Sequence, residues 1–232
     1  MTHVRQCVLA LAASALGVRG ALGQKVSPAG AAEIVHQGTA RGVPPCVSCH
    51  GPQLMGLAAM ASPRLAGQDS AYVLAQLDAY VSGARNDAVM HPVASLLSPA
   101  EREAVAAYVS RLPVARVVPA SASGDTMPGG ANLRLGEILA TRGRWATGLP
   151  ACDQCHGPGG VGVGAAVPPL AGQPWIYLSN QLHAYQQGTR PPGPLSLMSA
   201  IAGRLTDADI AAVAAYYPTR SPAPGLAGGS RP

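Results

Sequence analysis

The sequence predicts an all-α chain built as two tandem small helical domains, and three observations carry that expectation. Cys-x-x-Cys-His stands in "PPCVSCHGP" (Pro44 to Pro52) and again in "PACDQCHGP" (Pro150 to Pro158). Beyond it, "LAGQDSAYVLAQLDAY" (Leu65 to Tyr80) is answered 105 positions later by "LAGQPWIYLSNQLHAY" (Leu170 to Tyr185), with nine identical residues. Finally, no stretch alternates long enough to demand a sheet.

The repeat continues past the second helix. "LSPAEREAVAAYVS" (Leu97 to Ser110) matches "LTDADIAAVAAYYP" (Leu205 to Pro218) at a spacing of 108, and the three extra residues fall in "QQGTRPPGPLSLM". This is duplication of a whole domain with one loop lengthened in the second copy. Each half opens with a helix, near Ala29 to Gly38 and near Ala131 to Gly143. A second helix carries Val73, Leu77, Tyr80 and Val81 on one face and stops at Gly83, its counterpart at Gly188. The last helix of each half begins with a capping box, Ser98 with Glu101 and Thr206 with Asp209.

Domain bounds follow from composition. Residues 1–23 read as a secretory leader: Arg5 supplies a positive start, Cys7 to Leu16 an apolar run too short to span a bilayer, and "ALG" a small-residue cleavage site. An uncleaved anchor is the alternative. Residues 24–113 form the first domain, 114–130 a Pro-, Ser- and Gly-rich linker, 131–220 the second domain, and 221–232 a disordered tail. Without the leader the chain carries 14 basic against 11 acidic side chains, and no basic face is dense enough to suggest nucleic acid. Aromatics make up only 4% of the residues and Phe is absent, so a core of Ala, Val and Leu alone is thin. Something else is expected to fill the middle of each domain.

The four cysteines outside the leader all lie in the two motifs. Cys-x-x-Cys-His is the attachment pattern for c-type haem, with two thiols one helical turn apart forming thioethers and the adjacent His reaching the iron. A zinc ribbon would need its cysteine pairs close together, and a thioredoxin-type pair would need a βαβ setting. Neither fits. Cys46, Cys49, Cys152 and Cys155 are therefore expected to attach two haem c groups, with His50 and His156 as axial ligands.

A sixth ligand must come from the other face. Met55 and Met60 follow the first motif too closely and lack counterparts, while Met127 lies in the linker. Met90 and Met198 occupy matched places, each after the second helix and about eight residues before the last. A lone Met in an Ala-rich domain ordinarily packs a core, but a matched pair points to iron. His91 stands beside Met90, yet the second copy has Ser199 there; His36 and His183 have no matching His either.

In this order ("CxxCHG", "P-x-LAGQ", a "QL…Y" helix, a distal Met, a capped "AAY" helix, all present twice) the chain resembles the dihaem cytochrome c4 group of class I cytochromes c. The resemblance covers nearly all of the chain beyond the leader. It implies two tandem class I cytochrome c-like domains, with His50 and Met90 at one iron and His156 and Met198 at the other. It also implies that the carbonyls of Pro63 and Pro168 accept the ring N–H of each proximal His. The Gly-rich "PGGVGVGAAV" and the Pro-rich "RPPGPLSLM" of the second copy depart from the first, so the two haem environments should differ.

His/Met ligation favours a relatively high potential and leaves iron no open site. The expectation is a periplasmic electron carrier rather than an enzyme. By resemblance its redox partners are a quinol-oxidising complex or dehydrogenase on one side and a terminal oxidase or reductase on the other. Peripheral membrane association is compatible with this. The alternatives are a haem-bearing subunit of a membrane dehydrogenase or oxidase complex and, third, a dihaem peroxidase, which would require one distal ligand to leave.

Overall fold

The computed structural model describes residues 25–114, 131–191 and 194–222. The expected leader at 1–23, nearly all of the expected linker, and the tail beyond Pro222 lie outside them. Every regular element among the described residues is an α-helix or a 3-10 turn, and β-pairing is limited to isolated bridges. None of these helices is long and apolar enough to cross a membrane.

The first half holds α1 (Pro28–Gln37), α2 (Cys46–His50), α3 (Ser70–Val81), α4 (Met90–Ser95) and α5 (Pro99–Ser110). The second repeats the order with α6 (Leu133–Thr141), α7 (Cys152–His156), α8 (Trp175–Gln186), α9 (Leu197–Ala202) and α10 (Asp207–Tyr216). Local chemistry fixes their starts. Ser27 accepts from the Gly30 N–H with Pro28 opening α1, and Asp69 accepts from the amides of Ala71 and Tyr72 to open α3. Both capping boxes form, Ser98 with Glu101 and Thr206 with Asp209. Each box also recruits a loop arginine. Arg41 pairs with Glu101, and Arg144 grips Asp209 with contacts of 3.0 and 2.5 Å.

In each half the first helix crosses the last, α1 on α5 and α6 on α10, while α3 or α8 packs against the last helix and against the short helix that follows it. Small residues permit the crossings. Ala31 is buried in α1, and a Cβ added to Gly136 of α6 would lie 2.3 Å from the Ala212 carbonyl oxygen. The first core is one cluster around Val35, Leu77, Val105 and Val109, whereas the second is split between Leu139, Ile210 and Val213 on one side and Leu178, Tyr216 and Tyr217 on the other. Each such side chain contributes about 1.5–3 kcal/mol by leaving water.

The halves touch where α8 begins. A Cβ on Gly56 would lie 2.7 Å from Cγ of Pro174 and 2.8 Å from the Ser62 carbonyl oxygen, and its φ of +84° also suits glycine. The loops before α4 and α9 differ, as their sequences suggest: Leu195 and Ser196, just before α9, both take φ of +55°.

Candidate haem-binding site

Residues three apart share a helix face, so the single turn of α2 presents Cys46 and Cys49 together. Gly51 follows with φ of +84°, turning the chain away directly after His50. The His50 ring is buried and donates Nδ1–H to the Pro63 carbonyl oxygen at 2.9 Å. Nε2 is then the free acceptor. Burial pulls His50 below its ordinary pKa against the opposing pull of Pro63 and Asp87, so the ring is neutral and able to ligate. α7 repeats this geometry: His156 is buried, donates to the Pro168 carbonyl oxygen at 2.8 Å, and is likewise lowered by burial.

None of the four described cysteines forms a disulfide, which leaves every thiol for attachment. Burial pushes Cys46 and Cys152 up to about 11, which keeps them as S–H at neutral pH.

A cavity of about 440 Å³ is bordered by Cys46, Cys49, His50, Leu77 and Met90, so the first expected set is gathered round one space. Met60, set aside by sequence reasoning as too near the cysteines, borders the same cavity and is 53% exposed. Cys152, Cys155 and His156 share α7, while Met198 stands half-buried at the second position of α9. The remaining described histidines are engaged elsewhere: His91 donates to the Tyr80 carbonyl oxygen at 2.6 Å, His36 meets the Tyr108 hydroxyl at 3.1 Å, and His183 meets Gln186 at 3.2 Å.

The far wall of the cavity comes from the other half, through Tyr177, Gln181 and Arg190. There the repeat crosses over itself. Arg85 donates to the Tyr177 hydroxyl at 3.2 Å and to Oε1 of Gln181 at 2.6 Å, and Arg190 donates to the Tyr72 hydroxyl at 2.9 Å. Burial pushes the Tyr177 phenol up, but the two guanidiniums outweigh it and bring the phenol below the usual tyrosine range. Nearby, the backbone N–H of Arg64 donates to Gln173, whose amide donates back to the Arg64 carbonyl, and the Arg64 guanidinium reaches the Ala171 carbonyl oxygen at 3.1 Å. Sequence reasoning did not single out these arginines. A signal was present, since Arg85 and Arg190 recur at the same 105-residue spacing as the tyrosines and glutamines they touch.

The residues fit haem c. The cavity joins two S–H groups, a neutral imidazole with its Nε2 free, and a thioether; Nε of the buried Arg64, which also borders it, has no hydrogen-bond partner among the described residues. An apolar space edged by cationic donors suits a flat macrocycle carrying carboxylates.

Comparison with known proteins agrees. The family model described as Cytochrome c matches residues 43–113, and that described as Cytochrome C oxidase, cbb3-type, subunit III matches residues 140–216. The thiosulfate dehydrogenase electron acceptor of Stutzerimonas stutzeri (strain A1501) is 45% identical over 172 residues, covering 74% of this chain and 77% of that protein. Among solved structures, a thiosulfate dehydrogenase (TsdBA) from Marichromatium purpuratum matches with a TM-score of 0.76 and 41% identity, over 84% of this chain but only 40% of that one. Cytochrome c4 of Acidithiobacillus ferrooxidans matches with a TM-score of 0.62 and 35% identity, over 75% of this chain and 98% of that one. With its two motifs, two helical halves and these relatives, the chain belongs to the dihaem cytochrome c4 family, carrying two covalently bound haem c groups and working in electron transfer.

Proposed function

We propose that this cytochrome accepts electrons from a thiosulfate-oxidising dehydrogenase in the periplasm and hands them to a downstream oxidase or reductase. The observation that carries this reading is the 45% identity over 172 residues with a protein named as a thiosulfate dehydrogenase electron acceptor.

In this reading Cys46 and Cys49 hold one haem covalently, with His50 and Met90 at its iron. Cys152, Cys155, His156 and Met198 do the same for the other, within domains spanning 24–113 and 131–220. Haem bound this way supplies a one-electron iron couple. Pro63 and Pro168 keep each imidazole in one tautomer and orientation, with Nε2 directed away from the accepting carbonyl. Met90 and Met198 would supply the second protein ligand to each iron, which would suit the bound group to one-electron transfer rather than to substrate binding. The likeness to part of a longer TsdBA chain favours close docking on the dehydrogenase over free diffusion between distant partners.

The test is to mix the oxidised full-length holoprotein with a thiosulfate dehydrogenase and thiosulfate while following the haem α-band. Reduction requiring both enzyme and thiosulfate is expected. A protein that stays oxidised there, yet is reduced by a quinol-oxidising complex, has a different donor.

A further inference from the structure

The halves part company at three matched positions beside their cysteine pairs. The backbone there is the same in both: the amides of Leu65 and Ala66 donate to the Leu54 carbonyl and that of Gly67 to the Val109 carbonyl, just as those of Leu170 and Ala171 donate to Gly160 and that of Gly172 to Tyr217. The side chains differ. On this shared frame Val47, Leu54 and Val109 of the first half are replaced by Asp153, Gly160 and Tyr217 of the second. In the first half Leu54 and Val109 are buried and Val47 packs on their cluster, so all three are apolar. In the second the Tyr217 ring takes up the room, and a Cβ on Gly160 would lie 2.5 Å from Cε1 of Tyr217. Tyr217 is 2% exposed, so its hydroxyl needs a partner, and it donates to Oδ1 of Asp153 at 2.8 Å. Oδ2 of Asp153 accepts from the Gly159 amide at 2.9 Å. Both oxygens accept, as those of an ionised carboxylate do. Among the described residues no cation lies within 4.0 Å of Asp153, since the acids paired there are Asp78, Glu101 and Asp209. The charge is held in place without being cancelled. It sits one residue after Cys152 and three before His156, and Cys152 packs on the cluster that contains Tyr217.

We propose that Asp153 is a built-in negative charge that lowers the electron affinity of the second haem, and that Tyr217 is the positioning residue that holds its carboxylate there. This rests on the dihaem reading above. Reduction adds one electron to the iron and so brings a further negative charge near a carboxylate that is tied by both oxygens and cannot turn away. In a site partly shielded from water that repulsion reaches across several ångströms. The first half has its own acid, Asp87, on the wall of its cavity, but Oδ1 of Asp87 accepts from the amides of Val89 and Met90, in the loop that brings Met90, and the position matching Asp153 is apolar. The two acids stand at unmatched places, so removing Asp153 separates the second haem from the first.

The experiment is an optical redox titration of full-length holoprotein, with haem counted per chain, for wild type, Asp153→Asn, Asp153→Glu and Tyr217→Phe. Asp153→Asn keeps an acceptor for the Tyr217 hydroxyl but removes the charge. It should raise one midpoint, by roughly threefold to tenfold in the electron-uptake constant, the upper end being about 59 mV for one electron, and leave the other in place. The midpoint that moves should be the one retained in a chain with Cys46 and Cys49 both changed to alanine. Asp153→Glu should stay near wild type. Tyr217→Phe breaks the same hydrogen bond with the charge still present, so it should leave that midpoint at or below the wild-type value. The proposal is wrong if Asp153→Asn moves neither midpoint, moves both alike, lowers one, or shifts only the first haem. It is equally wrong if Tyr217→Phe raises the midpoint as far as Asp153→Asn does, because packing and not charge would then set it. Should Asp153→Asn fail to accumulate, Asp153→Ser removes the charge with a smaller side chain and is judged by the same outcomes. A wild-type chain with fewer than two haems contradicts the dihaem reading instead.

Discussion

Nδ1 of His50 lies 2.9 Å from the Pro63 carbonyl oxygen, and the same bond recurs between His156 and Pro168 at 2.8 Å. Carbonyl oxygens cannot donate, so both rings must carry their proton on Nδ1 and leave Nε2 for a metal. Two copies of one geometry, on helices of five residues each, place a ligand-ready imidazole directly after each cysteine pair.

Ligand removal separates the two sites. Alanine at Cys46 and Cys49 together should leave one haem per chain, and so should alanine at Cys152 and Cys155. Met90→Ala and Met198→Ala should each keep two haems but convert one of them to high spin, halving the far-red band of iron–methionine ligation. Haem counting and low-temperature spin resonance read these outcomes. A full band in Met90→Ala would exclude Met90 as a ligand and turn attention to Met60 on the same cavity.

Gly136 should not tolerate a methyl group. Alanine inside a helix is ordinarily favoured over glycine by about 1 kcal/mol. Here, however, the new Cβ would meet the Ala212 carbonyl oxygen at 2.3 Å and Tyr216 Cβ at 2.8 Å, so α6 and α10 would have to separate. Overpacking of this kind costs about 1–3 kcal/mol and should win. Urea unfolding of Gly136→Ala is expected to show that loss; a gain in stability would mean the crossing has room to spare.

Acid should weaken the second half through Asp209. The ion pair with Arg144, helped by Thr206 against the effect of burial, holds the Asp209 carboxyl below the usual aspartate range. Glu101 is also lowered: burial pushes it up, but Ser98 and Arg41 outweigh that. A depressed folded pKa means the stabilisation is complete above the unfolded value, about 3.9 for Asp, and fades as pH falls through the folded value. Asp209→Asn should therefore unfold more easily at neutral pH and show a smaller further loss on acidification below about pH 4 than wild type. Parallel urea curves for the two proteins across that range would remove Asp209 as a source of acid sensitivity.

Much of this was legible along the chain because the signals are local. Haem attachment reads from cysteines three apart with His next, and the helix starts read from Ser98 with Glu101 and Thr206 with Asp209, where cap and partner lie within one turn. Arg85 and Arg190 were hidden in plain sight. Each stands in a loop, where an arginine is ordinarily solvated, and nothing nearby in sequence tells that its partners in the other half, Tyr177 and Gln181 for Arg85 and Tyr72 for Arg190, lie more than ninety positions away. Arg64 was hidden for a related reason, since its contacts with Gln173 and Ala171 exist only once the halves meet.

The sequence by itself determined the duplicated all-helical plan, the two haem attachments and the family, because motif spacing and helical periodicity are properties of neighbouring residues. Only the tertiary structure decided that Met60 shares the cavity with Met90, that Gly136 sits under a carbonyl, and that three arginines meet at a seam where, among the described residues, no acid pairs with them. Those facts depend on which surfaces are pressed together and cut off from water. Burial and charge compensation belong to the packed chain and have no counterpart in its linear order.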